Sequence, residues 1–187
     1  MDRRYLSKYK YVYRVNRDDI VVFVDEDWLS FARENDAADL TAERVIGSSL
    51  WDHIEGTVTR ELYQELFAYL RREQAMTIVP YRCDSPTVHR SLDLAIEAMP
   101  DGSIQFSTHV LAVERSEYQP LLDASGRRSR QRFGLCSLCK AARLPSGEWT
   151  SLDHVLMRIN LDQGILPEIE NGVCPACNRS VRELIHT

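Results

Sequence analysis

Two cysteine pairs carry the clearest chemistry in this chain. Cys136-Ser137-Leu138-Cys139 is a CxxC pair and Cys174-Pro175-Ala176-Cys177 is a second. Two thiolates at this spacing bind one metal ion from a single tight turn. Two such turns supply the four soft ligands of a tetrahedral Zn²⁺ site. The alternative is two local disulfides, or four unrelated buried thiols. Cysteine is otherwise sparse, with Cys83 the odd fifth, most simply a free thiol. Doubled CxxC spacing in a reducing compartment points to metal. Four protein ligands leave no open position for a water nucleophile, so the expected role of Cys136, Cys139, Cys174 and Cys177 is structural. A second charged group is Tyr81-Arg82-Cys83-Asp84-Ser85-Pro86, with Arg90 after it. Arg82, Asp84 and Arg90 fit an ion-paired turn between two strands, with binding of an acidic ligand as the other use. Arg82 favours a Cys83 thiolate and Asp84 opposes one.

The whole chain limits what surrounds these groups. Its 187 residues fit one ordinary domain plus a small module, and 44% hydrophobic content supports a core. A formal charge of −5 argues against a general nucleic-acid binder. No long apolar run suggests a membrane span, and Met1-Asp2-Arg3-Arg4-Tyr5 does not lead into a secretory signal. The expected location is therefore the cytoplasm.

Residues 1–8 read as a polar arm. Tyr9, Tyr11, Tyr13 and Val15 alternate with polar residues, as in a half-buried strand. Asn16-Arg17-Asp18-Asp19 is turn chemistry, and Ile20 to Val24 is a β-branched return strand. Asp25 or Asp27 can cap a helix bearing Trp28, Leu29, Phe31 and Ala32. A short helical turn over 39–45 follows. Thr59 is expected to cap a longer helix reaching about Glu73, with Leu62, Leu66, Phe67 and Leu70 on one face. Three strand-like runs complete this half: Met76 to Arg82, Arg90 to Met99, and Ile104 to Glu114, the last two joined by Pro100-Asp101-Gly102. Consecutive hairpins make an antiparallel sheet, and the central helices must cover one face.

Residues 9–115 resemble a PAS domain. The supporting stretches are Asp19 to Asn35 and Val45-Ile46-Gly47-Ser48-Ser49-Leu50-Trp51-Asp52-His53-Ile54, with the closing Pro100-Asp101-Gly102 hairpin. The resemblance implies an α+β fold: a five-stranded antiparallel sheet with short helices on one face, often around a ligand cavity. No reactive cysteine stands in the helix after the second strand, so no flavin is expected. His53 is the sole nearby histidine and better suits a helix end than an axial ligand, so no haem is expected. Phe31, Trp51, Phe67, Leu94 and Phe106 are candidates to line a pocket, with plain core filling as the other use.

Beyond this half, residues 118–133 read as a linker carrying the basic run Arg127, Arg128, Arg130 and Arg132. Residues 134–187 are the expected zinc module, zinc-ribbon or treble-clef-like. Leu152, Val155, Leu156 and Ile159 lie at helical spacing, with Trp149 anchoring the start of that helix. A module this small needs metal to fold. This tail resembles a CxxC module found after sensory domains in bacterial signalling proteins. The matching residues are Cys136, Cys139, Lys140, Arg143, Gly147, Trp149, Leu152, Asp153, Leu156, Gly172, Val173, Cys174, Pro175 and Cys177. Asn171 departs from that pattern, which usually has His there.

A rival resemblance is to HNH nucleases, through Asp153-His154-Val155, Asn171 and Asn178. It implies His154 as a general base beside a catalytic metal. The proline that normally follows closely is replaced by Leu156-Met157-Arg158. A third class is a zinc-dependent DNA-binding regulator using the arginine run. The leading expectation is a non-catalytic bacterial sensory or regulatory protein, with a PAS-like domain at 9–117. Its structural zinc would serve protein interaction. No kinase, cyclase or helix-turn-helix segment follows, so output would pass through another signalling protein. A homodimer and a small-molecule ligand are expected partners; nucleic acid and membrane are not.

Overall fold

The computed structural model describes residues 10–35, 37–123, 125–156 and 165–185. The expected arm over 1–8, Tyr9 and Ile159 lie outside them.

The first hairpin forms where the alternation ends. Strands β1 (Lys10–Val15) and β2 (Val21–Val24) pair antiparallel. Between them Asn16 Oδ1 accepts from the N–H groups of Asp18 and Ile20, at 2.9 and 3.0 Å. Asp25 then serves two elements. Its Oδ1 accepts from Trp28 N at 2.7 Å, capping helix α1 (Glu26–Glu34), and its Oδ2 accepts from Val12 N at 2.9 Å. The start of the helix is thereby tied to β1, the neighbour of the strand it follows.

Helix α2 (Ala42–Val45) and a 3₁₀ turn at Leu50–Asp52 lead to the 17-residue helix α3 (Thr57–Glu73). The N-cap of α3 is Gly56, at φ 86°, and Thr59 lies inside its first turn rather than capping it. Serine, threonine and glycine all occupy helix starts, so the sequence signal was displaced. Leu62, Leu66, Phe67 and Leu70 are buried along one face of α3, the expected stripe.

Strands β3 (Met76–Arg82), β4 (Val88–Ala98) and β5 (Ile104–Arg115) form an antiparallel meander. β5 also pairs with β1, giving one five-stranded sheet of order β2-β1-β5-β4-β3. This is the PAS-like architecture. Val15, Leu94, Ile96, Ile104 and Phe106 join the α3 stripe in one buried cluster. Arg71 locks the far end of α3: it donates to Asp19 Oδ1 at 2.6 Å, Asn16 O at 3.1 Å and Gly102 O at 3.0 Å.

The second half is built differently from the expected linker and helix. Arg128, Arg130 and Arg132 of the arginine run belong to strand β6 (Arg128–Cys136), which lies parallel to β9 (Leu166–Gly172), and Arg127 stands just before it. β7 (Ala142–Arg143) and β8 (Trp149–Thr150) complete a four-stranded sheet of order β8-β7-β6-β9. Arg128 is half-buried and donates to the carbonyls of Leu121, Asp123 and Pro167 at 2.7–3.0 Å. Arg127, Arg130 and Arg132 are exposed, and Arg132 faces Glu170 at 3.5 Å. Trp149 thus starts no helix; it lies in β8, before the short helix α4 (Leu152–Leu156). Phe133, Leu135, Leu152, Val155 and Leu166 form a small second core. Helix α5 (Pro175–Glu183) closes the chain.

Candidate metal centre and the seam beside it

Both cysteine turns stand at element ends. β6 runs into Cys136, and the next turn closes through Lys140 N to Cys136 O at 3.0 Å and Cys136 N to Ala141 O at 2.7 Å. Lys140 takes the left-handed conformation, φ 60°. Ser137 N donates to Gly172 O at 2.7 Å, so β9 delivers the second turn beside the first. There Cys174 caps α5: its sulfur accepts from Cys177 N at 3.4 Å, with Pro175 in the first turn.

The four Sγ atoms lie within 4.8 Å of one another. Cys139 and Cys174 sulfurs are 3.7 Å apart. Four sulfurs at about 2.3 Å from a tetrahedral zinc stand about 3.8 Å from each other. A disulfide would need about 2.05 Å, and all five cysteines are free. Cys136 and Cys174 are buried, Cys139 and Cys177 half-buried. Cys174 N donates to Cys136 Sγ at 3.3 Å. The hydrogen bond with Cys139 pushes the Cys136 thiol down to about 4. The same bond holds Cys139 protonated, and burial pushes Cys177 up to about 12. Four thiolates so close repel one another, and a dication is the charge that lets all four ionise. Among the described residues these cysteines form the one group arranged to hold a metal. The donor set fits zinc as a closed structural site.

The nuclease candidates occupy other positions. His154 is exposed, its backbone N–H on Ser151 Oγ at 3.4 Å. Asn171 donates to Glu55 Oε2 at 2.7 Å, and Asn178 Oδ1 accepts from Arg182 Nε at 3.0 Å.

At the 82–90 turn, Arg82 and Asp84 meet at 2.5 Å, and the Asp84 side chain is 1% exposed. Arg90 reaches Asp84 through its backbone N–H, at 3.2 Å, and its guanidinium faces the Cys83 carbonyl at 3.4 Å. His89 is the partner that spacing did not reveal: its Nδ1 lies 3.0 Å from Asp84 and also contacts Arg82. Strand alternation could have found it, since β4 begins at Val88 and brings the ring back over the turn. Burial pushes the Cys83 thiol up, and Lys140 and Arg90 oppose this.

The two halves meet over α3 and the end of β3. Arg82 N donates to Leu138 O at 2.7 Å, joining the first sheet to the first cysteine turn. Arg182 of α5 forms an ion pair with Glu65 of α3 at 2.5 Å. Cys136, Leu138, Cys174 and Val181 share the buried cluster of the first sheet. A cavity of ≈ 430 Å³ lies in this seam. Tyr13, Thr59, Tyr63, Phe67 and Phe106 line it from the first half; Ser137, Lys140 and Asn171 line it from the second. Of the expected pocket residues, Phe67 and Phe106 therefore face it. Phe31 packs on Tyr11, with centroids 4.5 Å apart, Trp51 leans on Phe67 at 5.6 Å, and Leu94 is core.

No family model matches the chain. No curated protein matches it either. Similar solved structures each cover a little over half of this chain. The photoactive yellow protein domain of the sensor histidine kinase Ppr from Rhodospirillum centenum is 10% identical, spans 54% of this chain and 91% of its own, and has a TM-score of 0.40. A sensory box sensor histidine kinase from Vibrio cholerae is 12% identical, over 58% and 86%, with a TM-score of 0.40. The PAS domain of BvgS from Bordetella pertussis is 13% identical, over 56% and 74%, with a TM-score of 0.37.

Proposed function

We propose that this chain is a sensory or regulatory protein without catalysis of its own, of the bacterial signalling type. The PAS-like half receives a small ligand or a partner surface. The zinc module, closed by Cys136, Cys139, Cys174 and Cys177, is structural and presents a docking surface to a second protein that supplies the output. Four protein sulfurs leave zinc no open position for chemistry, and reduced thiols suit the cytoplasm. The observation that carries this reading is the seam. The Cys136 turn bonds to the end of β3, and its cysteines share a buried cluster with α3. A signal that changes how α3 rests on the sheet therefore has a packed route to the module. Such a signal acts by preferring one of two packings.

Native mass spectrometry of the intact protein tests it. One zinc per chain and a retained small molecule or protein partner are expected. A metal-free chain, or DNA cleavage that disappears in His154→Ala, would replace this reading.

A further inference from the structure

The seam cavity has three features that the role above does not use. Its floor is aromatic: Tyr13 stacks on Phe106 with centroids 4.3 Å apart, and Phe67 meets Phe106 edge-on at 5.5 Å. Tyr63 adds a fourth ring, its phenol held neutral by burial. Thr59 lines the same space, 3% exposed, and its Oγ1 makes no hydrogen bond among the described residues. A buried hydroxyl without a partner is unfavourable, and a ligand group that meets it relieves this. Lys140 lines it from the second half. Its ammonium donates to Ser137 O at 3.3 Å and pairs with no carboxylate among the described residues. Glu55 shares the rim, but its carboxylate is held by Asn171 at 2.7 Å. A cavity of ≈ 430 Å³ is in the range of small-molecule sites.

The geometry points to a binding site for a small aromatic carboxylate in this cavity. The ring lies among the aromatic side chains, a polar ring substituent meets Thr59, and the carboxylate meets Lys140. Lys140 is set by the cysteine turn, through its φ of 60° and its backbone bond to Cys136 O. Zinc therefore orders the group that recognises the anion, and by linkage the bound anion retains zinc. This rests on the sensory reading and narrows it: the ligand is read by both halves together, and metal is a condition of reading it.

The test uses the zinc-loaded full chain with 4-hydroxyphenylacetate and its uncharged analogue 4-hydroxyphenylacetamide, by titration calorimetry. The acid is expected to bind at least about tenfold tighter than the amide, the size of one well-placed charged contact. Lys140→Gln should erase that difference. Thr59→Val should weaken both compounds, and Thr59→Ser should restore them. The acid should also slow zinc transfer to a chromogenic chelator in the native protein and not in Lys140→Gln. Zinc content and the unfolding midpoint of each variant separate a lost site from a lost fold. Equal binding of acid and amide, or binding indifferent to Thr59→Val, overturns the assignment. Binding of neither compound also overturns it; the sensory reading then survives if the purified protein retains another small molecule or a partner, and falls with it if neither is retained.

Discussion

Cys174 ties both cysteine turns together. It caps α5, its sulfur accepts from Cys177 N, and its own N–H donates to the Cys136 sulfur. Cys174→Ser removes a soft ligand while leaving a good helix cap. Zinc affinity should fall at least about a hundredfold, a conservative share of the roughly 10–16 kcal/mol apparent binding energy of structural zinc sites. Competition with a chelator of known affinity measures it, and an unchanged affinity would remove Cys174 from the site. Cys83 behaves in the opposite sense to a reactive thiol. Burial raises its pKa, so the thiol stays protonated where a free cysteine begins to ionise. In zinc-loaded protein its alkylation by iodoacetamide at pH 8 should run at about a tenth of the rate of glutathione or less. The rate should climb as pH rises past the ordinary thiol range. Alkylation as fast as glutathione would show the thiol to be exposed. At this scale the gathering of the four cysteines was legible, because CxxC spacing encodes its own geometry. Thr59 was legible only as a helix-start residue, since the space beside it is made by Ser137 and Lys140 of the other half.

Gly56 fixes how α3 meets β9. It sits at φ 86°, and a Cβ there would stand 2.4 Å from the Asn171 carbonyl oxygen. Gly47 has a similar φ of 92° with open space around it. Gly47→Ala should therefore cost about 1–2 kcal/mol, the left-handed penalty alone. Gly56→Ala should cost roughly 2–5 kcal/mol, because displacement of the β9 backbone is added. Urea unfolding of the two zinc-loaded variants compares them directly. Equal losses would mean that the approach of α3 to β9 carries no energy. The elements of the first half were readable because each announces itself locally. β1 and β2 flank an Asn16-led turn, Asp25 stands at its cap, and Leu62, Leu66, Phe67 and Leu70 keep helical spacing. β6 and β9 gave no such signal. They pair in parallel across an intervening hairpin and helix, so no turn joins them and no hairpin chemistry marks them. Arg128 and its neighbours looked like a solvated stretch because charge is conspicuous in sequence, while the carbonyls that hold Arg128 are not.

Across the whole molecule, the cysteine turns share a buried cluster with the five-stranded sheet, so the halves have no separate cores at their junction. Zinc-loaded protein is expected to unfold in one cooperative transition. Saturating zinc at about 100 times its dissociation constant adds about 2.7 kcal/mol to that transition. Chelation should then lower the midpoint of the first half as well, read from Trp28 and Trp51 fluorescence in a Trp149→Phe background. Two independent transitions, with the first half indifferent to chelator, would show that the seam transmits nothing. All of this depends on four sulfurs meeting one ion, and X-ray absorption at the zinc edge of the purified protein tests that most directly. The expected spectrum has a shell of four sulfurs at about 2.3 Å and no nitrogen or oxygen ligand. A mixed shell, a shell of two sulfurs, or no bound zinc would contradict it.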